Sequence, residues 1–256
     1  MFKKIIIIFT FLALLAVAVF FVFKQITPKQ LDVVERKIDQ RIEQIEDVRE
    51  TVIPQPTKIL SNGQPDKFFI ETAFIPQSPK KNWDQPWQDA CEESALLTVD
   101  YFYKNQNPDL DQIESDILKM IDFEEKQQFT KDVNLEQMAL IAQDYLNYST
   151  EIITPNIKII KEYLLKNIPI VVPANGKILF KENPYFSSGG PYYHNLVILG
   201  YDDKKQEFIV HDVGTQHGAY FRYSYDLLIE SIHDFPDSKN KEDIDNGPKQ
   251  VLLLLK

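Results

Sequence analysis

The stretch NWDQPWQDACEESALLTVDYFY, residues 82–103, contains the only cysteine in the sequence, Cys91. Apolar residues follow it at spacings of three and four, which predicts a helix that begins at or near Cys91. Glu92 and Glu93 fall in the first turn, where acidic side chains suit the helix dipole. Unpaired backbone N–H groups at a helix N-terminus stabilise a thiolate, so this position favours a reactive cysteine. The predicted apolar face consists of Ala95, Leu96, Val99, Phe102 and Tyr103.

A second interpretation of Cys91 is structural, because a lone cysteine is more often a small buried hydrophobic residue than a nucleophile. Its neighbours are polar and acidic, which is unusual around a thiol in a hydrophobic core. Nearby acids also raise the pKa of a thiol, so a nucleophilic Cys91 needs a cationic partner such as a histidinium. The acids in question are Asp84, Asp89, Glu92 and Glu93.

A candidate partner lies in PYYHNLVILGYDDKKQEFIVHDVG, residues 191–214, which reads as a β-hairpin. Two strands, at about 194–201 and 207–213, flank a turn-rich segment. If Tyr201 pairs with Glu207, His194 lies diagonal to Asp212, and a small slip in register pairs the two directly. In both registers they share a face of the sheet, because side chains alternate with a period of two. The spacing therefore predicts a histidine oriented by a carboxylate, although a surface histidine beside a capping aspartate fits as well.

The remaining histidines fit a catalytic role less well. His211 alternates onto the face opposite Asp212, and His217 and His233 lie in polar, loop-like sequence. A metal site built from His194, Asp212 and His217 is conceivable, but no ligand-spacing motif supports it. The sequence therefore predicts neither a metal nor another cofactor.

The charge of the chain limits its partners. The formal net charge is −10, and residues 24–256 contain 26 basic and 38 acidic residues. A domain this acidic is a poor candidate for binding nucleic acid or an anionic lipid surface. One cysteine allows no internal disulfide, so the fold must rest on its hydrophobic core.

The N-terminus carries a hydrophobic segment. Residues 5–23 are nineteen apolar or near-apolar residues without charge, and as a helix they would span roughly 28 Å, about one hydrocarbon core. We therefore expect residues 1–23 to form a single-pass anchor in the cell membrane. The basic N-terminus favours an extracytoplasmic position for the rest of the chain. The alternative is a signal peptide cleaved after the small residues 16–18.

Residues 24–64 read as a stalk and linker. Within them, 31–52 follow a heptad with Leu31, Ile38, Ile45 and Val52 at one seam position, while Arg41 interrupts the other. This pattern predicts a short helical stalk, which either forms a homodimer or serves only as a solvated spacer. Proline and glycine near 53–65 end the helix.

Residues 65–256 are long enough for one domain with a sizeable core. Apolar periodicity predicts helices near 110–121 and 135–146, and Thr154-Pro155 reads as the N-cap and first position of another. Helices that come mostly before strands indicate an α+β architecture. Strand-like runs occur at 67–76, 151–153 and 168–173.

Three segments together resemble a known family: NWDQPWQDACEESALL, PANGKILFKENPYFSSGGPYYHNLVILGYD and FIVHDVGTQHGAYFRYSYDLLIESIHDF. They are similar to the double-glycine-leader (bacteriocin-processing) peptidase-like domains, most closely the stand-alone branch that lacks a transporter. The resemblance covers roughly residues 66–256. It implies a papain-like α+β fold in which Cys91 is the nucleophile, His194 the base and Asp212 the acid that orients it.

The resemblance has two departures. The transporter-linked peptidases carry glycine after the cysteine, whereas this chain has Glu92, as the stand-alone branch does. They also place the oxyanion-hole glutamine six residues before the nucleophile. Gln85 has that spacing, while Gln88 and Gln77 compete for the role. The sequence shows no nucleotide-binding motif or attached transporter, which removes the usual reason to expect a double-glycine leader as substrate.

These patterns predict a membrane-anchored thiol hydrolase, a peptidase acting on a peptide or protein substrate. The same triad would also serve acyl transfer to an amine, and the sequence does not separate the two reactions. The third possibility is a catalytically silent peptidase-like module that binds a partner. It is favoured by the acids around Cys91 and by the unassigned glutamine.

Overall fold

A seven-stranded antiparallel sheet forms the centre of the protein in the computed structural model, which describes residues 64–256. The strand order is β2-β7-β3-β4-β5-β6, and β1 pairs with β4 beside this path. The strands are β1 (Lys67–Phe69), β2 (Ser149–Ile153), β3 (Ile170–Asn175), β4 (Tyr193–Asp202), β5 (Glu207–His211), β6 (Phe221–Ser224) and β7 (Val251–Leu255).

Six α-helices accompany the sheet in this part of the chain: α1 (Cys91–Lys104), α2 (Leu110–Lys126), α3 (Leu135–Leu140), α4 (Ile157–Leu164), α5 (Gly176–Leu179) and α6 (Tyr225–Ser231). A π-helical segment, Ile141–Tyr145, continues α3. Two 3₁₀ segments, Trp87–Asp89 and Lys241–Asn246, complete the regular elements. The result is a mixed α/β fold with an antiparallel sheet, consistent with the predicted papain-like α+β class.

The middle of the sheet is the core. Every residue of β3 and β4 is buried, as are the first four residues of β7, because their runs of valine, isoleucine and leucine leave no polar face for solvent. Helix α1 packs against β3 and β4 with Ala95, Leu96 and Val99 fully buried. This packing holds the N-terminal end of α1, and thus Cys91, against the sheet.

Local signals set the helix boundaries. Helix α1 ends at Asn105, which adopts a left-handed backbone with φ of 51° and closes the last turn. Asp109 caps α2 by accepting a hydrogen bond from the backbone N–H of Gln112. Asn134 and Gln137 form a capping box at the start of α3.

The hairpin of β4 and β5 contains a bulge at Leu199. Near the turn Tyr201 pairs with Phe208, so the expected pairing of Tyr201 with Glu207 is wrong. Beyond the bulge Val197 pairs with His211, which is the register predicted for the end of the hairpin that carries His194. One extra residue in β4 therefore corrects the register before the site is reached.

Several other boundaries differ from expectation. The strand expected over 67–76 ends at Phe69, and the helix expected at Thr154-Pro155 instead begins at Ile157 with Asn156 as its cap. The Asn156 side chain accepts the backbone N–H of Ile159, a bond that Thr154 lies too early in the chain to make. Strands β6 and β7 and helices α5 and α6 have no counterpart in the expectations.

The anchor and stalk predictions fall outside the described residues. The proposed anchor 1–23 and the heptad 31–52 are both in that part of the chain. In residues 64–256, no helix has the length and apolar character needed to cross a membrane.

Candidate active site

Cys91 and His194 line the same surface cavity, which has a volume of about 880 Å³. Cys91 enters from the start of α1 and His194 from the start of β4, so a helix end and a strand end meet there. Trp83 and Tyr185 also line the cavity, with about 40% and 46% of their surface exposed. The structure thus brings the predicted cysteine and histidine to one solvent-accessible space.

Cys91 is the first residue of α1, as the sequence predicts, and its side chain is buried. Its Sγ donates a hydrogen bond to Glu92 Oε2 at 2.9 Å. On the other side, Asn195 Nδ2 lies 4.0 Å from the same sulfur. The thiol therefore has a carboxyl group and an amide as polar neighbours.

The surroundings of Cys91 favour the thiol over the thiolate. Burial raises the pKa of Cys91 well above its usual value, and the charge and hydrogen bond of Glu92 raise it further. Glu93 acts in the same direction. A nucleophilic Cys91 thus needs a group that takes its proton during the reaction.

His194 is bonded to Asp212 in the arrangement predicted from the hairpin. Its Nε2 lies 2.8 Å from Asp212 Oδ1, and both side chains are buried. A carboxylate only accepts hydrogen bonds, so the imidazole carries its proton on Nε2 and leaves Nδ1 free as a base. The ring of Phe186 packs edge-on against the imidazole, with 5.3 Å between the centroids.

Asp212 is held by four donors. His194 and the backbone N–H of Gly214 contact Oδ1, while Asn183 Nδ2 and the Tyr223 hydroxyl donate to Oδ2. Burial alone would raise the pKa of Asp212, but the charge and hydrogen bond of His194, with the other donors, hold this pKa below its usual value. The carboxylate is therefore ionised and fixed in one orientation.

Gly214 makes room for the imidazole. A Cβ atom at this position would lie 2.5 Å from His194 Cε1 and 3.3 Å from Gln77 Oε1. Any side chain here would displace the ring from the cavity wall.

The three candidate glutamines occupy different environments. Gln85 does not line the cavity; its exposed side chain bonds to Asp89 and Lys131. Gln77 lines the cavity, but its Nε2 donates to the carbonyl oxygens of Trp87 and Gln88 at 2.9 and 3.2 Å. The side chain of Gln88 is exposed and lines the cavity.

The other histidines have separate environments. His211 is buried between the Thr72 carbonyl and the Tyr220 N–H, and burial lowers its pKa to about 4. His217 lines the cavity and stacks on Tyr185, with 4.3 Å between the ring centroids. Over residues 64–256, no group of three potential metal-ligating side chains is arranged to hold a metal ion.

Sequence reasoning missed four polar residues around the site. Asn183 and Tyr223 hold Asp212 from distant segments, and no local pattern points to either. Asn195 does carry a signal, because it is a polar residue inside a buried strand. Glu124 lies on the buried face of α2, where it joins Glu92 and Glu93 beside the cysteine.

Among solved structures, a protein described as a C39-like peptidase from Bacillus anthracis shares 15% identity with a TM-score of 0.44, covering 79% of this chain and 98% of that one. The peptidase domain of Streptococcus ComA, a bi-functional ABC transporter involved in a quorum-sensing pathway, shares 14% identity with a TM-score of 0.37, covering 66% and 93%. No curated protein matches the chain.

The Peptidase_C39 like family matches residues 70–235, which is more than half of the chain. This range contains Cys91, His194 and Asp212. Membership supports a cysteine peptidase activity, as the sequence predicted. The chain belongs to the Peptidase_C39 like family.

Proposed function

We propose that the domain is a thiol peptidase in which Cys91 is the nucleophile, His194 the general base and Asp212 the orienting acid. One observation carries the proposal: Cys91 and His194 line one cavity, and Asp212 binds the nitrogen of His194 that would not face the thiol. A nucleophile, a base and a group that orients the base are the three parts that this chemistry requires.

In the proposed reaction, His194 Nδ1 takes the proton of Cys91 as the sulfur attacks the substrate carbonyl. Asp212 keeps the other ring nitrogen protonated and stabilises the imidazolium that forms. The imidazolium then protonates the leaving amine, and water releases the acyl group from the sulfur. The helix N-terminus at Cys91 favours negative charge on the sulfur.

We further propose that the Cys91 backbone N–H and the Gln88 side chain bind the oxyanion. Gln77 is less suited because both of its amide hydrogens are directed at backbone carbonyls. It holds the segment before Cys91 and so supports Gln88 indirectly. Gln85, although it has the spacing of the transporter-linked family, faces Asp89 and Lys131 at the surface.

Gln88→Ala tests this assignment, with Gln85→Ala as the matched control. Loss of one oxyanion donor typically lowers kcat by about 100-fold or more, so we expect that loss for Gln88→Ala and none for Gln85→Ala. The measurement is single-turnover cleavage of a peptide substrate. An equal effect of the two substitutions would exclude Gln88 from the role.

The enzyme itself is tested by labelling with a thiol-reactive peptidase inhibitor in competition with iodoacetamide. Selective labelling of Cys91 at about pH 6–7, lost in His194→Ala, is the expected result. His217→Ala serves as the control, because His217 also lines the cavity but lies outside the triad. Labelling that is equal in all three proteins would overturn the proposal.

Two other functions use the same features. Acyl transfer to an amine needs the same triad, and product analysis with and without an added amine separates it from hydrolysis. A catalytically silent binding module is favoured by the contact between Cys91 Sγ and Glu92 Oε2, which opposes ionisation of the thiol. Absence of both turnover and selective labelling would support the silent module.

We also propose that residues 1–23 anchor the chain in the cell membrane with the peptidase domain outside. The nineteen uncharged residues 5–23 and the preceding lysines support this proposal. A 65–256 fragment should then be soluble and folded, and protease added to intact cells should remove the domain. An insoluble fragment would place the domain boundary elsewhere.

The heptad of residues 31–52 supports a stalk that forms a homodimer. Arg41→Leu would complete its seam and should strengthen self-association of a 24–60 peptide. Sedimentation measures this directly. A monomer with either residue would leave the stalk as a spacer.

A further inference from the structure

Three buried carboxyl groups form a cluster beside the cysteine. Glu92, Glu93 and Glu124 have no more than 5% of their surface exposed. Glu92 and Glu93 come from the first turn of α1, and Glu124 comes from the end of α2. In the described part of the chain no lysine or arginine pairs with any of the three.

The hydrogen bonds of this cluster leave room for protons. Glu93 and Glu124 lie close enough that the charge of Glu124 raises the pKa of Glu93. Glu93 Oε2 and Glu124 Oε1 are buried with no hydrogen-bond partner among residues 64–256. Three unpaired buried carboxylates would cost too much desolvation free energy, so the cluster retains protons near neutral pH.

Glu92 connects this cluster to the cysteine. Its Oε1 accepts the backbone N–H of Val133 at 3.2 Å, and its Oε2 lies 2.9 Å from Cys91 Sγ. When Glu92 is protonated, Oε2 carries the proton, because Oε1 already accepts the Val133 N–H. The Oε2 hydroxyl then points at the sulfur.

We infer that Glu92 is a positioning residue whose protonation state decides where the Cys91 proton points. A protonated Glu92 donates to the sulfur, leaves the thiol proton for His194 and supports the sulfur anion after that proton moves. An ionised Glu92 accepts the thiol proton, as in the contact between Sγ and Oε2, and turns it away from His194. The peptidase would be active while the cluster holds its protons and would lose activity as pH rises.

Burial raises the pKa of Glu92 well above its usual value. The charges of Glu93 and Asp132 raise the pKa of Glu92 further, while its hydrogen bond with Cys91 lowers it. Burial likewise raises the pKa of Glu124, to about 8. Lys131 and Lys241 face Asp132 and oppose the rise in its pKa. The groups that face the cluster are Cys91 and Glu93 from α1, Glu124 from α2, Asp132 from the segment before α3, Tyr193 from β4 and Asp89 from the 3₁₀ turn.

The inference concerns regulation of the same site and rests on the proposed function for its catalytic meaning. Its test, however, uses the thiol alone: the rate of Cys91 alkylation by iodoacetamide against pH, in wild type, Glu92→Gln and Glu92→Leu. Glutamine is a permanent neutral donor to the sulfur, while leucine is neutral and donates nothing. Asp84→Asn is the matched control, because Asp84 is an acidic residue of the segment before Cys91 whose side chain is exposed and does not contact the sulfur.

The expected signature is a rank exchange, which means that the order of the alkylation rates of the three proteins changes between low and high pH. At the acid end of the profile, where Glu92 is protonated, wild type should match Glu92→Gln and exceed Glu92→Leu. At the alkaline end, where Glu92 is ionised, wild type should fall below both, with Glu92→Gln roughly tenfold or more above it, since one unit of thiol pKa changes the thiolate fraction about tenfold. Asp84→Asn should follow wild type throughout. Parallel profiles for wild type and Glu92→Gln would overturn the inference.

A measurement on the unmodified chain guards against variants that do not fold. Difference infrared spectroscopy of wild type, before and after alkylation of Cys91, should show a shift in the C=O stretch of a protonated carboxyl group. An unchanged carboxyl band would overturn the inference. A rank exchange without any peptidase activity would refute the proposed function alone, and activity that requires Cys91 and His194 without a rank exchange would refute only the role of Glu92.

Discussion

Asp212 and Glu124 are both carboxyl groups buried near the proposed nucleophile, yet their pKa values move in opposite directions. Burial by itself would raise the pKa of each. Asp212 has four hydrogen-bond donors, including a histidine, and its pKa falls below the usual value. Glu124 has other carboxyl groups for neighbours and an unpartnered oxygen among the described residues, and its pKa rises to about 8.

The number of hydrogen-bond donors, rather than the depth of burial, therefore decides whether a buried carboxyl group in this protein is charged. In the proposed mechanism the two carboxyl environments therefore have opposite roles. Asp212 keeps a fixed negative charge that supports an imidazolium, while the cluster of Glu92, Glu93 and Glu124 holds protons that it loses as pH rises.

The largest expected effect comes from substituting the residues of the proposed triad. Cys91→Ala and His194→Ala should each lower kcat by roughly 10⁴–10⁶, and the double variant should be no worse than either single one. Asp212→Asn should lose less, because an amide still orients the ring without stabilising its charge. Turnover of a peptide substrate measures all four variants. Additive losses would mean that the residues do not act as one unit.

His194→Ala should also change the chemistry of the thiol. Without the imidazole the acids beside Cys91 act unopposed, so the pKa of the thiol should rise further. The pH dependence of alkylation in wild type and His194→Ala measures this shift. Identical profiles would mean that the two side chains do not interact, and the proposed mechanism would fail.

The next prediction concerns Glu124 in the glutamate cluster, and its measurement is the stability of the folded protein at different pH values. Because the pKa of Glu124 is raised to about 8, the folded protein keeps a proton that the unfolded chain loses above its ordinary pKa near 4.5. Stability should therefore fall as pH rises between these values. Glu124→Gln should remove that loss and gain on the order of a few kcal/mol at about pH 8, with no gain at about pH 4.

Thermal unfolding at the two pH values measures the effect of Glu124→Gln. Glu125→Gln is the matched control, since Glu125 is the next residue of α2 and its side chain is exposed. Equal pH dependence in wild type and Glu124→Gln would show that Glu124 is not protonated in the folded protein.

The smallest expected effect comes from removing one of the hydrogen-bond donors to Asp212. Tyr223→Phe removes one hydrogen bond to a charged group, which should cost about 1.5 kcal/mol of stability. The pKa of Asp212 is depressed, so its stabilisation is present above the unfolded pKa and is lost as pH falls through the folded one. With a higher folded pKa, Tyr223→Phe should lose stability at a higher pH than wild type during acid titration. Acid unfolding curves that coincide would contradict this account.

Much of the site was predictable because its elements are local and periodic. The position of Cys91 at the start of α1 followed from apolar spacing, and the shared face of His194 and Asp212 followed from strand alternation. Both patterns depend only on residues a few positions apart. Their assembly in one cavity was predicted from the resemblance rather than from spacing.

The remainder depended on contacts between distant segments. Of the four acids expected around Cys91, Asp84 is exposed and Asp89 is only half-buried, while Glu92 and Glu93 are fully buried. The first-turn position of the two glutamates gives no sign of their burial, yet α2 and the segment before α3 cover them, as the contacts with Glu124 and Val133 demonstrate. The spacing of the transporter-linked family points to Gln85, whose side chain lies outside the cavity that Gln77 and Gln88 line, because a count of residues contains no information about which way a turn directs each side chain.

The bulge at Leu199 has a consequence for how this hairpin tolerates insertions and deletions. Near the turn, paired residue numbers sum to 409, as in Tyr201 with Phe208, and beyond the bulge they sum to 408, as in Val197 with His211. An odd sum extended to the end of the hairpin would put His194 and Asp212 on opposite faces of the sheet. The hairpin must therefore keep an even sum of paired residue numbers at the end that carries His194. Removing Leu199 alone should leave the two side chains in contact, because Ile198 still pairs with Val210 and Gly200 with Ile209 once the extra residue is gone. One residue inserted between His194 and Val197 should instead move His194 and Asp212 to opposite faces of the sheet.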